Sequence, residues 1–159
     1  VTADQSSEQC KLIEIKSHIA KIVNSMIPKF DVDEHRIVLN CPQEISLNSY
    51  PGSFSKVITS LLSNSLQHGF ENKKKGTVTI NIEKIESVVV INYNDDGLGI
   101  PPKDVEKIFD PFFTTKRGAG CSGLGLHIVY NQIKQNLGGS INCSSVLKKG
   151  TTFIIKIPL

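Results

Sequence analysis

The stretch "GAGCSGLGL", residues 118–126, sets glycines at the spacing G-x-G-x-x-G directly before an apolar run of helical period. Glycine lets a backbone approach a phosphate with no Cβ in the way. The unpaired N–H groups and the positive dipole end of a helix starting there favour an anion. A dinucleotide fingerprint also needs a preceding first strand and an acidic ribose reader about 20 positions further on. Here the glycines follow a long irregular stretch, and no Asp or Glu occurs after Asp110. A P-loop is excluded because no Gly-Lys-Ser/Thr follows. The eukaryotic kinase loop is excluded because Gly125 stands where that loop has Val, and no H-R-D sequence occurs. Two readings stay open on this stretch alone: an anion cradle around residues 122–126, or a plain surface loop before a capped helix.

Other residues can supply matching chemistry. Ser60, Asn64, Gln67 and His68 recur at i, i+4, i+7 and i+8, a polar stripe opposite the apolar face of a helical run. A solvated face is the plain reading. Yet the stripe is uncharged, lies in a strongly apolar helix, and includes the Asn64 amide oxygen, a hard ligand of the kind magnesium takes. In "DDGLGIP", residues 95–101, Gly97 and Gly99 permit a tight turn directly after a strand. Asp95 at the strand end can point a carboxylate into a pocket. An ionised carboxylate only accepts hydrogen bonds, so it suits the exocyclic amine of adenine and opposes the carbonyl of guanine. An ordinary Asp-Asp-Gly turn is the alternative. "FDPFF", residues 109–113, gathers three of the seven phenylalanines beside Pro111, as a satellite core, a lid anchor or a docking patch.

The scaffold that must position these residues is one domain. A chain of 159 residues, 39% hydrophobic and 21% charged, has the make-up of a single globular unit. Its net charge of +3 can favour an anionic ligand but is far below that of a dedicated nucleic-acid binder. Lys73, Lys74 and Lys75 read as a solvated loop. Cys10, Cys41, Cys121 and Cys143 are far apart without a C-x-x-C pair, which argues for reduced thiols in a cytosolic setting. No apolar run approaches a membrane span. A start at Val1, without an initiator methionine, suggests a fragment of something larger.

Periodicity predicts helices over residues 10–26, ended by Pro28, and 53–68, capped by Ser53. A brief helix is predicted near 103–108, and a long one from 122 to 137 with Gly138 as its stop. Strands are predicted over 35–41, 44–47, 77–85, 88–93, 140–144 and 152–157. Hairpin strands with interleaved helices give one mixed sheet covered by helices on one face, an α/β (α+β) two-layer sandwich. Residues 95–121 form a long irregular stretch of the kind that often serves as a binding lid.

Taken in order, Asn64 in "LLSNSLQH", "DDGLGIP", "IFDPFFTTK" and "GLGLHIV" resemble the N, G1, F and G2 boxes of the catalytic, ATP-binding domain of bacterial sensor histidine kinases. That domain belongs to the GHKL superfamily, with gyrase, MutL and the heat-shock-ninety chaperones. The resemblance covers roughly residues 30–159. It implies the Bergerat fold, with ATP held between helices under a mobile lid. Adenine is then implied at Asp95, turn glycines at Gly97 and Gly99, magnesium at Asn64, and phosphates at Gly123 and Gly125. Ile100, Phe109, Thr115, Lys116, Arg117, Gly120, Leu124, Leu126 and Thr151 are implied as further ATP-binding positions. Asn64, Gln67, His68 and Lys116 form the implied catalytic set, with ATP and Mg²⁺ as cofactors. Residues 1–28 become a linker and N-terminal helix, and residues 29–159 the ATP-binding domain.

Within the superfamily, ATP hydrolases and protein serine kinases carry a glutamate one helical turn before the magnesium asparagine, as general base. Ser60 stands there and cannot take that role at neutral pH. A histidine acceptor needs less help, because neutral imidazole is already nucleophilic. Ser60 and the F box therefore favour a histidine kinase. Three positions depart from the pattern. Gln67 sits where many histidine kinases have a lysine reaching phosphate, a charge that Lys116 or Arg117 can replace. His68 occupies a position often polar or aromatic, and Cys121 replaces a glycine. The phosphoacceptor is expected elsewhere: His18 is followed by Ile19, not by an acidic residue, and His18, His35 and His127 read as structural.

The expected function is transfer of the ATP γ-phosphate to a histidine on a separate dimerisation and phosphotransfer domain of the same parent protein, for relay to the receiver domain of a response regulator. A degenerate, non-catalytic nucleotide-binding interaction module is the alternative. The expected setting is cytoplasmic, in a homodimeric and potentially membrane-anchored parent, with the isolated domain monomeric and no nucleic-acid partner.

Overall fold

The computed structural model describes residues 8–113 and 125–159. Strand β1 (Lys11–Glu14) pairs antiparallel with β3 (Ser46–Ser49) as a two-stranded sheet. Between them lie helix α1 (Ile15–Asp31) and strand β2 (Arg36–Asn40). The helix expected from residue 10 therefore starts five residues later, because Lys11–Glu14 is drawn into pairing. Glu14 ends the strand and caps the helix, accepting the Ser17 N–H at 2.7 Å. Nor does Pro28 end α1. Proline removes one intrahelical bond, and the buried Met26 and Phe30 on either side of it hold the last turn on the core. A division between residues 28 and 29 falls inside α1, whose buried face (Ile15, Ile19, Ile22, Val23) belongs to the same core as the sheet.

Helix α2 (Pro51–Asn64) starts two residues before the expected Ser53, since Pro51 brings a helix-ready φ to the first turn. Ser53 is not its cap. It is fully buried within the first turn and accepts a hydrogen bond from Asn136 Nδ2 at 3.1 Å. α2 widens into a π-turn, Ser65–Gly69, in which the Phe70 N–H reaches back five residues to the Ser65 carbonyl at 2.7 Å. Such turns insert one extra residue into a helix and recur at functional sites.

The remaining elements are strands β4 (Thr77–Ile85) and β5 (Val88–Asp95), a single turn α3 (Pro102–Val105), helix α4 (Gly125–Asn131), and strands β6 (Ser140–Val146) and β7 (Gly150–Pro158). α4 also ends in a π-turn, Gln132–Asn136, and Gly138 stops it at φ +67°. The five-stranded sheet runs β2-β4-β5-β7-β6, with β2 parallel to β4 and the other pairs antiparallel. This is the mixed, two-layer arrangement that the strand and helix pattern predicts. Alternate residues of β4, β5 and β7 (Ile80, Ile91, Phe153) point into one core shared with Leu61 and Leu62 of α2 and Val129 of α4. Each such side chain contributes about 1.5–3 kcal/mol by burial. β5 and α2 thus end side by side.

Candidate functional site

The alternation of β5 turns Tyr93 and Asp95 toward the helices, and both are buried, Asp95 to 2% exposure. Its carboxylate accepts the Ser65 hydroxyl on Oδ2 at 2.8 Å and the Gly97 N–H on Oδ1 at 3.1 Å. Burial pushes this carboxyl above the ordinary aspartate range. The bonds from Ser65, Gly97 and the Thr151 backbone oppose that rise, and the neighbouring Asp96 adds to it. Burial likewise pushes the Cys143 thiol up to about 12, with a contribution from Asp95, so it stays protonated.

The turn after Asp95 depends on two glycines. Gly97 is pressed against the backbone of Gly69 in the π-turn, where a Cβ would coincide with the Gly69 carbonyl. The Leu98 N–H donates to that same carbonyl at 2.8 Å. Gly99 takes φ +77°, the left-handed region that side chains disfavour, and lies against the Val146 carbonyl. The Ile100 N–H then donates to Ser145 Oγ at 2.7 Å, which itself donates to the Gly150 carbonyl at 2.9 Å. The turn is therefore clamped between the end of α2 and the β6–β7 hairpin.

Around Asp95 opens a cleft of about 410 Å³, a size suited to a small-molecule ligand. It brings together Ser60, Asn64, Gln67 and His68 from α2 and its π-turn, Asp95, Gly99 and Ile100 from the turn, Gly125 and Leu126 from α4, and Thr151 from β7. Two of the expected positions do not line it. Gly97 packs beneath the turn, and Phe109 packs tilted on Tyr130 and edge-on to Phe153, at ring-centroid distances of 5.6 and 6.2 Å. Thr115, Lys116, Arg117, Gly120, Cys121, Gly123 and Leu124 lie outside the described residues. So does the helix start expected at residue 122.

Sequence reasoning gave no site role to Gly69, Leu98, Asp104 and Ile108, which also line the cleft, and it placed Phe113, a further lining residue, in a satellite core, lid anchor or docking patch. Gly69 closes the "SLQHG" run at a helix end, a signal that was legible; Leu98 lies within "DDGLGIP" and Ile108 and Phe113 within "IFDPFFTTK", while Asp104 carried no signal beyond lying in the irregular stretch. The apolar Leu98, Ile100, Ile108 and Phe113 suit a planar ring, and the buried carboxylate gives that ring one acceptor. Among the described residues no group of three or more His, Cys, Asp or Glu could hold a metal ion. The donor set instead fits a magnesium ion that takes one amide oxygen, from Asn64, with ligand phosphates supplying the rest.

The histidines outside the cleft are engaged elsewhere. His18 Nε2 donates to the Pro51 carbonyl at 2.9 Å, His35 Nδ1 accepts the Gly76 N–H at 2.8 Å, and His127 Nδ1 donates to the Phe109 carbonyl at 3.1 Å.

Gly125 differs from the two turn glycines: among the described residues, nothing lies within 4 Å of where its Cβ would stand. Gly125→Ala is expected to leave the fold intact and to raise stability by up to about 1 kcal/mol through helix propensity. Thermal unfolding checks this, and a fall of several degrees would count against an open site.

A mixed sheet backed by helices, with a buried carboxylate at the end of a central strand and glycine turns beside it, defines a nucleotide-binding α/β sandwich. The chain belongs to the family described as histidine kinase-, DNA gyrase B-, and HSP90-like ATPases, whose sequence profile matches residues 50–159. Sensor histidine kinase ZraS of Salmonella typhi is 38% identical over 110 residues, 69% of this chain and 22% of its own length. Sensor kinase CckA of Brucella abortus is 54% identical over 70 residues, 44% of this chain and 7% of its own. Among solved structures, the catalytic domain of histidine kinase ThkA superposes with a TM-score of 0.82 at 25% identity, covering 94% of this chain and 95% of that one. The chain spans a third or less of the length of curated relatives such as these two and ArlS of Staphylococcus epidermidis. It is thus an ATP-binding domain of the kind found in sensor histidine kinases. Among the described residues, no helix is long and apolar enough to cross a membrane.

Proposed function

We propose that this domain binds ATP with magnesium and transfers the γ-phosphate to a histidine on a separate dimerisation domain of its parent, for relay to a response regulator. The observation that carries the reading is the buried Asp95 carboxylate in a cleft that also holds Asn64 and lacks a glutamate at position 60. Asp95 accepts the adenine amine, and Ile100 and Leu126 cover the ring. Asn64 offers its amide oxygen to magnesium, whose bound charge neutralises phosphate oxygens. Gln67 and His68 border the phosphates, with Lys116, Arg117 and the glycines Gly120, Gly123 and Gly125 contributing cations and backbone N–H groups. Catalysis then rests on positioning and charge neutralisation, because Ser60 offers no general base and an imidazole acceptor needs none. We place the domain on the cytoplasmic side of a homodimeric sensor.

Calorimetric titration with ADP, with and without Mg²⁺, tests binding. γ-Labelled ATP tests transfer: the chain alone should stay unlabelled, while an added histidine-bearing acceptor domain should gain label. Label on the chain itself would refute the assignment. A second reading, a nucleotide-dependent interaction module without transfer, is favoured by the neutral, exposed Gln67 in the cleft. It takes over if ADP binds and no acceptor is labelled.

Phe112 bears on transfer. Its side chain is 56% exposed on a backbone with φ +65°, an exposed aromatic suited to anchoring a partner. Phe112→Ala should slow transfer about tenfold, as truncation of an interface aromatic does, and leave ADP affinity within about twofold. Equal losses in rate and affinity, read by labelling and calorimetry, would remove the docking role.

A further inference from the structure

Two buried hydroxyls behind the cleft have no place in the reading above. Ser65 and Tyr93 are both inaccessible to solvent and neither lines the cleft. Ser65 stands at the start of the π-turn and donates to Asp95 Oδ2 at 2.8 Å; Tyr93, two residues before Asp95 on β5, lies 2.7 Å from Ser65 Oγ and 2.9 Å from the Leu61 carbonyl. The proton count fixes their direction. An ionised Asp95 has no proton to give, so Ser65 must spend its single proton on the carboxylate and keep its oxygen as an acceptor. The Tyr93 hydroxyl donates to that acceptor, sharing its proton between Ser65 Oγ and the Leu61 carbonyl. Gly97 donates to the other oxygen of Asp95. Were Asp95 protonated, the chain would run backwards, from Asp95 to Ser65, to Tyr93, to the Leu61 carbonyl.

We propose that Ser65 and Tyr93 are positioning residues. The Ser65 hydroxyl, itself held by Tyr93, keeps the Asp95 carboxylate an ionised acceptor through Oδ2, so the cleft selects a purine that presents an amine there over the same ring without one. The inference rests on the reading of Asp95 as the adenine acceptor and adds what keeps it in that state. The need for such support is physical. Asp95 sits where burial disfavours its charge, and the ionisable groups coupled to it among the described residues (Asp96, Tyr93 and Cys143) are all acidic. Hydrogen-bond donors must do that work, and Ser65 is the side-chain donor seen at the carboxylate among the described residues.

The test uses the whole chain and two ligands, ADP and the 5′-diphosphate of unsubstituted purine riboside, which lacks the 6-amino group. Wild type should prefer ADP. Ser65→Ala should cut that preference about tenfold, the scale of a charge-assisted hydrogen bond, with the affinity for the analogue unchanged. Tyr93→Phe should cut it about two- to threefold in the same direction, one link further from the charge. This second variant keeps the packed ring, and the Leu61 carbonyl retains the Ser65 backbone N–H, so folding is preserved if Ser65→Ala fails. Equal weakening of both ligands would mean a general packing role and would overturn the proposal, as would an unchanged ratio in both variants. A wild type with no preference for ADP would refute the amine reading of Asp95 itself. That failure would show before any variant is made, and would take this inference with it.

Discussion

Asp95→Asn is expected to raise the unfolding midpoint at neutral pH while weakening ADP binding at least tenfold. The two effects have one cause. Burial holds the Asp95 carboxyl above its ordinary value, so the folded chain binds that proton more tightly than the unfolded chain does. Stability from this group is therefore fully present below the unfolded value, about 3.9, and is lost as pH rises through the raised folded value. At neutral pH the charge is a net cost, which asparagine removes. The amide also finds partners without strain: its NH₂ can donate to Ser65 and Ser65 to Tyr93, reversing those two bonds, while Tyr93 keeps donating to the Leu61 carbonyl. Binding moves the other way. A neutral amide replaces a charge-assisted acceptor, a difference of about 1.4 kcal/mol or more, which is a factor of ten. Thermal unfolding and ADP calorimetry, each at neutral and mildly acidic pH, check both halves. The stability gain should shrink in acid, where wild-type Asp95 takes up its proton. A variant less stable than wild type at neutral pH, with ADP affinity unchanged, would sink the account.

The parts of the fold that could be read from the sequence are those fixed by local pattern. The alternation of Val78, Ile80 and Ile82, and of Val89, Ile91 and Tyr93, specifies strands with one buried face, and the sheet has them there. Features that arise from distant contacts could not be read. Lys11–Glu14 looks helical until β3 offers a pairing edge. The π-turn after Asn64 has no local signature; Phe70 is held there by packing on His35 and Phe30, at ring distances of 4.6 and 6.4 Å. The candidate site divides in the same way. Asp95, Asn64, Gly97 and Gly99 announce themselves by residue type at motif spacing. Ser65 looks like one more polar residue in a helix, and Tyr93 like one more aromatic in a strand. Only the approach of β5 to the end of α2 joins them.

That approach leaves no room for a side chain at position 97. Gly97→Ala is expected to destabilise the chain by about 2–4 kcal/mol, combining overpacking with a lost hydrogen bond. The added methyl would fall on the Gly69 carbonyl, an atom that cannot move away as a flexible side chain can. It is backbone, held within a π-turn whose far end is fixed by the Phe70 to Ser65 bond and which receives the Leu98 N–H at 2.8 Å. To make room, the turn after β5 must lift away from α2, which breaks the Leu98 bond and strains the Gly97 N–H bond to Asp95. The unfolding midpoint should fall by on the order of 5–15 °C. ADP affinity should fall with it, at least tenfold, since the carboxylate loses a donor and its position together. Gly125→Ala supplies the contrast, a glycine of the same resemblance whose Cβ would meet nothing among the described residues. If Gly97→Ala and Gly125→Ala behave alike in unfolding, the contact between the turn and the π-turn is not what sets the cleft. If only Gly97→Ala unfolds early and loses ADP, glycine at position 97 is there for backbone contact.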